Sequence, residues 1–239
     1  KPIHSLASYL MDGIAKPDLI VDGYSSPHGF ALKPSHAKML QNADIIFWVG
    51  EDLENFLVKP LNSIAKKAEK IELMEIKGLE KLKFRERNIF DGHEGHDEHG
   101  HDEDGHKEDD HDEHGHDEDG HKEDDHDEHG HDEHEGHAHG EYDPHIWLDP
   151  ENAKVILNEM VEHLIENDEK NASTYKKNLK KAQKDLDKLL KKVKSDLNKD
   201  FKSIVFHDAY QYFEKRFDVN VLGAFTVNTD VMPGAEQLA

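Results

Sequence analysis

Cysteine is absent from all 239 residues, so neither a disulfide framework nor a thiolate metal site can form within the chain. The compartment stays open, because cytosolic and exported proteins alike can lack cysteine. No apolar run reaches the roughly 18 residues that a membrane-spanning helix requires. Basic side chains are also in deficit, 30 Lys and Arg against 53 Asp and Glu, for a net charge of −23. A nucleic-acid binder needs a basic face, and this balance argues against one. The deficit is local. Residues 91–141 hold 24 of the acids, 15 of the 21 histidines and only two lysines. Elsewhere 29 acids meet 28 bases, a net of −1. Ala138 is the only apolar residue from Asp91 to Glu141, and the other 188 residues are about 44% apolar, an ordinary globular value. The acidity therefore describes one insert on a near-neutral folded protein.

A signal peptide is not visible either. The chain opens at Lys1-Pro2 without Met, and it stops just after Met232-Pro233-Gly234-Ala235-Glu236, which reads as the start of a helix. These ends are read as those of a trimmed fragment.

Between them, elements alternate. Ile3, Leu6, Ala7, Leu10, Met11, Ile14 and Ala15 recur at helical spacing behind Pro2. Leu19–Val21 reads as a short strand, Asp22 to Pro34 as a loop rich in Gly, Ser and Pro, and Ser35 as the cap of a short helix through Ala43. The continuous apolar run from Ile45 to Val49, ended by Gly50, predicts a strand buried on both faces. A helix near 53–68 and a strand near 70–76 follow. After the insert, Asp149 or Asn152 starts a helix to about Glu166. A longer helix covers roughly 171–198, with Tyr175, Leu179, Ala182, Leu186, Leu189, Val193 and Leu197 stepping by four and three. Then come a strand at Ile204–Phe206, a helix at Tyr210–Phe217 and a strand at Val219–Leu222. Strands alternating with helices predict an α/β fold with parallel sheets flanked by helices.

The insert contains a tandem repeat. His96–Asp110 reads HDEHGHDEDGHKEDD, His111–Asp125 repeats it letter for letter, and His126–Glu133 begins a third copy. The repeat has no apolar side chain to bury, so by itself it is expected to be disordered. It reads either as a slippage-expanded solvated tract or as a weak metal sponge. HxH pairs such as His99/His101 and His114/His116 place imidazoles close together in a field of carboxylates.

Six histidines lie outside the insert. Three of them sit in loop-like positions: His28 in Ser-Ser-Pro-His-Gly, His145 in Asp-Pro-His-Ile-Trp-Leu-Asp-Pro, and His207 directly after Ile-Val-Phe. Ligands of open α/β sheets bind beyond the carboxyl ends of strands, and neutral imidazoles suit zinc. Spacing alone leaves open whether these three form a site or are unrelated, satisfied histidines. His4, His36 and His163 fall in predicted helices and read as surface or structural residues. Trp48 and Trp147 read as core. Asp208 reads either as an acceptor that orients an imidazole or as a helix N-cap.

The motifs resemble those of the metal-binding receptors of ABC importers, specifically the zinc-binding periplasmic group. Ser26-Pro27-His28-Gly29-Phe30, with Leu32-Lys33-Pro34-Ser35 and Leu40-Gln41-Asn42-Ala43-Asp44, resembles the family's first ligand loop and the helix after it. Asp143-Pro144-His145-Ile146-Trp147-Leu148-Asp149-Pro150 resembles the second ligand motif, and Phe206-His207-Asp208-Ala209-Tyr210 the third. A His-rich acidic insert before the second motif is typical of the zinc-selective members.

The resemblance implies two α/β lobes joined by one long rigid helix, with the metal in the cleft. Residues 1–170 would form the first lobe, interrupted by the insert at 91–141. Residues 171–198 would be the linking helix, and 199–239 the start of an incomplete second lobe. His28 and His145 would reach the metal from the first lobe and His207 from the second. Manganese-binding relatives usually carry a carboxylate at the third position, so His207 favours zinc. A fourth ligand in many members is an acidic residue of the second lobe. Some zinc-binding members instead carry a Glu immediately before the first histidine, an option closed here by Pro27; water or an insert histidine could also complete the shell. The implied activity is Zn²⁺ capture outside the cytoplasmic membrane, in the periplasm or tethered to the membrane, by a monomer that delivers the ion to an ABC permease. It is not an enzyme. The rival readings are a buffer acting through the insert, a manganese receptor and a zinc hydrolase. The hydrolase reading lacks a compact motif such as HExxH.

Overall fold

The apolar run after Asp44 forms strand β1 (Ile45–Trp48) in the computed structural model, which describes residues 1–23, 25–85, 140–198 and 200–226. The pleat sends alternate side chains to opposite faces. Ile45 and Phe47 pack against the larger core, with Leu10, Leu73, Ile156 and Leu157, while Ile46 and Trp48 join a smaller core with Leu40, Leu57 and Leu61. Both faces are therefore covered, as expected of an unbroken apolar strand. Helix α3 (Glu51–Ser63) follows β1 and leads to β2 (Glu69–Glu72). The two strands pair in parallel, Ile45 opposite Glu69, and a single 3-10 turn at Leu73–Glu75 succeeds them. α3 stops five residues short of the expected Ala68. Pro60 lies inside it, and the helix ends one turn later with Ile64 N–H bonded to the Pro60 carbonyl.

The elements before β1 depart more from the sequence pattern. Helix α1 (Pro2–Leu10) ends before the periodic apolar residues do, in a turn that places Gly13 at φ +78°. Asn178 fixes that end by donating from its amide to the carbonyls of Leu10 and Asp12, both at 2.8 Å. Leu19–Val21 is not a strand. It is an irregular, half-buried segment whose Ile20 packs on the smaller core, and among the described residues the first sheet consists of β1 and β2. Three residues without a ladder partner gain nothing from extension. Helix α2 (Pro34–Asn42) begins at Pro34, and Ser35 is not its cap. The Lys33 N–H donates to Nδ1 of buried His36 at 3.1 Å instead, so this histidine does the work of a cap.

Of the two starts expected, Asp149 and Asn152, helix α4 (Pro150–Asn167) takes the first. The Asp149 carboxylate accepts the Glu151 N–H at 2.9 Å, with Pro150 at the first helical position. Its buried face carries Ile156, Leu157, Met160, Val161 and Leu164. Each such side chain contributes about 1.5–3 kcal/mol of burial. One 3-10 turn, Glu169–Asn171, separates α4 from α5 (Ala172–Asp196). The 25 residues of α5 span about 38 Å. It buries Tyr175, Asn178 and Ala182 near its start, whereas Leu189 further along is 48% exposed. The pattern then restarts with β3 (Lys202–His207), α6 (Gln211–Phe217) and β4 (Asn220–Thr226). β3 and β4 pair in parallel, His207 opposite Thr226, with an irregularity between Ser203 and Ile204. The described residues thus hold two parallel strand pairs with crossover helices and one long helix between them, an α/β fold. Among the described residues no helix is long and apolar enough to cross a membrane. Residues 91–139 of the histidine-rich insert and the helix start expected at Met232 lie outside the described residues.

Candidate metal centre

Each of the three loop histidines is delivered by a different local structure. His28 lies in the irregular segment before α2, where its backbone N–H donates to Ser26 Oγ at 3.2 Å. The strand expected ahead of it does not form. His145 directly precedes a 3-10 turn, Ile146–Leu148, whose Ile146 is fully buried and anchors the loop. His207 is the last residue of β3, at a strand's carboxyl end as expected. The fold brings all three together. Ring centroids lie 5.7 Å apart for His28 and His145, 5.4 Å for His28 and His207, and 5.1 Å for His145 and His207. One ligand atom from each lies within 4.8 Å of the others. Three nitrogens held at zinc distance in a tetrahedron are about 3.3–3.4 Å apart, so a small closure of the rings completes the geometry.

The electrostatics favour a ligand role. Both ring nitrogens of His207 are buried and have no hydrogen-bond partner. A buried polar atom left unpaired costs about 1–3 kcal/mol, and an incoming cation removes that cost. Burial, then the neighbouring His145 and His28, lower the His207 pKa to about 4. The ring is therefore neutral at physiological pH, the state in which imidazole binds metal.

Asp143 was not singled out by sequence. Its side chain is fully buried, and Oδ1 accepts from the His145 backbone N–H at 2.9 Å and from His145 Nδ1 at 2.6 Å. An Asp accepting the N–H two residues on is an Asx turn, so the Asp-Pro-His order did carry a signal. Asp208 takes neither of its expected roles. Its Oδ1 accepts from Arg85 Nη1 at 3.0 Å rather than from an imidazole, and α6 begins at Gln211 behind Tyr210. Arg85 also forks onto Glu214 at 3.1 and 2.7 Å. Burial nevertheless raises the Asp208 pKa to about 6, with Arg85 opposing the rise.

The other histidines have partners of their own. His4 Nε2 donates to the Pro17 carbonyl at 3.0 Å. His163 lies between Glu69 (2.8 Å) and Glu159 (3.3 Å). With Glu166 it forms a second group of possible ligands, but its ring is already bracketed by carboxylates. Trp147 is half-buried with its ring edge-on to His145 at 5.4 Å, closer to the centre than a purely core reading expects. The segments flanking the insert meet beside these residues. Lys83 and Tyr142 form an antiparallel bridge, the Phe84 N–H donates to the Glu141 carbonyl at 3.3 Å, and the Asp143 N–H to Leu82 at 2.8 Å.

The fold is that of periplasmic metal-receptor proteins. A crystal structure of ZnuA superposes with a TM-score of 0.69 at 18% identity, covering 99% of this chain and 71% of that one. A zinc-bound 138–173 deletion mutant of ZnuA gives 0.67 at 19% identity, with 99% and 71% covered. By sequence, the high-affinity zinc uptake system protein ZnuA of Brucella abortus (strain 2308) is 43% identical over 240 residues, all of this chain and 69% of the relative. The model of the family described as zinc-uptake complex component A, periplasmic, matches residues 1–239. The chain belongs to this ZnuA family, whose members are periplasmic binding proteins rather than enzymes.

Proposed function

We propose that this chain captures Zn²⁺ with high affinity outside the cytoplasmic membrane, through His28, His145 and His207, and hands it as cargo to an ABC permease. The observation that carries the reading is His207, neutral and half-buried with two buried, unpartnered ring nitrogens beside two further imidazoles. Membership of a periplasmic zinc-uptake family supports the choice of metal and the permease partner. In this reading residues 1–170 carry His28 and His145, 171–198 connect, and 199–239 begin the part carrying His207; the protein acts as a monomer. The test is a zinc titration in competition with a chelator. His145→Ala and His207→Ala should each weaken the tight site by orders of magnitude while the weaker sites of the insert persist. Unchanged tight binding in both variants sinks the assignment.

A further inference from the structure

We infer that Asp143 is a positioning residue that selects which nitrogen of His145 faces the metal and ties that ligand to the segment carrying His207. The inference rests on the three imidazoles being zinc ligands. A neutral imidazole carries one N–H, and a carboxylate can only accept. The contact of Asp143 Oδ1 with His145 Nδ1 at 2.6 Å therefore holds the hydrogen on Nδ1 and leaves Nε2 with its lone pair for the ion. The Oδ1 bond to the His145 backbone N–H fixes the carboxylate and the imidazole to one turn of chain.

The other side of Asp143 is held by α6. Gln211 Nε2 donates to Oδ2 at 3.2 Å, and Tyr212 Oη donates to the Asp143 carbonyl at 2.7 Å. Tyr212 Oη in turn accepts the Leu82 N–H at 3.1 Å. Gln211 and Tyr212 are the first residues of α6, four and five positions after His207. One buried residue thus bonds to His145, in the loop ahead of α4, and to the helix that follows β3 and its His207. Asp143 is 0% exposed and accepts on both oxygens, so its geometry is set by these partners and not by water.

The experiment uses the full chain as wild type, Asp143→Asn, Asp143→Ala, Gln211→Ala and His145→Ala. Two quantities are read: zinc affinity by chelator competition, and the ¹⁵N shifts of the histidine rings, which report the tautomer. Asp143→Ala should lose about 10–100-fold in affinity, the range for partners of ligand imidazoles. In its metal-free form His145 should become a mixture of tautomers. Asp143→Asn keeps an acceptor oxygen, so His145 should stay protonated on Nδ1 while affinity falls less than in Asp143→Ala. Gln211→Ala should weaken binding without changing the tautomer. A folded Asp143→Ala protein with wild-type affinity, or with His145 still wholly protonated on Nδ1, overturns the proposal. If Asp143→Ala does not fold, wild-type affinity in Asp143→Asn overturns it. Unchanged affinity in His145→Ala would instead overturn the ligand assignment beneath it.

Discussion

His207 pairs two properties that seldom coincide: ring nitrogens shielded from water, and no hydrogen-bond partner for either of them. Its pKa is lowered from 6.5 to about 4 by burial and by His145 and His28. In the metal-free protein the unfolded chain therefore takes up a proton that the folded ring refuses as pH falls from 6.5 towards 4. Stability at this residue is present above 6.5 and lost on acidification. Asp208, raised from 3.8 to about 6 mainly by burial, acts in the opposite sense. The folded state holds its proton more tightly, so its contribution is present at low pH and lost as pH rises through 6. Replacing His207 with Gln should thus make the metal-free protein less sensitive to acid, seen by urea unfolding at pH 7 and pH 4.5. A variant whose stability falls by as much as wild type would contradict the neutral ring with its buried nitrogens. His207→Glu addresses the metal itself. In the proposed site, an oxygen donor in place of the His207 nitrogen should reduce the preference for zinc over manganese, measured by competition between the two ions.

At the scale of elements, a bidentate ion pair links the start of α4 to α6. Arg216 on α6 forks onto Asp149, both bonds 2.6 Å, and Asp149 is also the cap of α4. Asp149→Ala removes the cap and leaves the guanidinium with Glu80 at 3.5 Å. A loss of about 3 kcal/mol is expected, the scale for breaking a buried pair, and Asp149→Asn should restore part of it by keeping the cap. Chemical denaturation decides; a loss under 1 kcal/mol for Asp149→Ala would show that the link is replaceable. This cap was legible in the sequence as one of two candidates, with Asn152, because capping is local: an Asp before Pro150 and an apolar period marks a helix start. The parallel pairs were legible for a similar reason, since β1 and its flanking helices announce themselves by run length. Leu19–Val21 was misread because strand character depends on a partner, and partners are not local. Arg85 escaped notice for the same reason, its acceptors Asp208 and Glu214 lying 123 and 129 residues away. The three histidines were placed by motif, and their convergence to ring separations of 5.1–5.7 Å only by the fold.

For the whole molecule, the antiparallel bridge of Lys83 and Tyr142 brings the two flanks of the insert together. A chain entering and leaving at one point can be shortened without pulling on the rest. Replacing residues 86–139 by a short Gly-containing turn should leave the fold and the tight zinc site in place while lowering the number of ions bound. Calorimetric titration counts the ions; an unfolded product, or loss of the tight site, would show that the insert contributes to the centre. In the shortened protein zinc should still raise the melting temperature, because a ligand at 100 times its Kd stabilises by about 2.7 kcal/mol.

The edge-on packing of Trp147 against His145 gives the protein an optical reporter of its own. Only two tryptophans are present, and Trp48 lies in the smaller core. In a Trp48→Phe protein all indole emission would arise beside His145, at 5.4 Å from its ring. Excited indole is sensitive to the charge and orientation of a neighbouring imidazole, so occupancy of the centre becomes readable as intensity and wavelength, without a dye or a competing chelator.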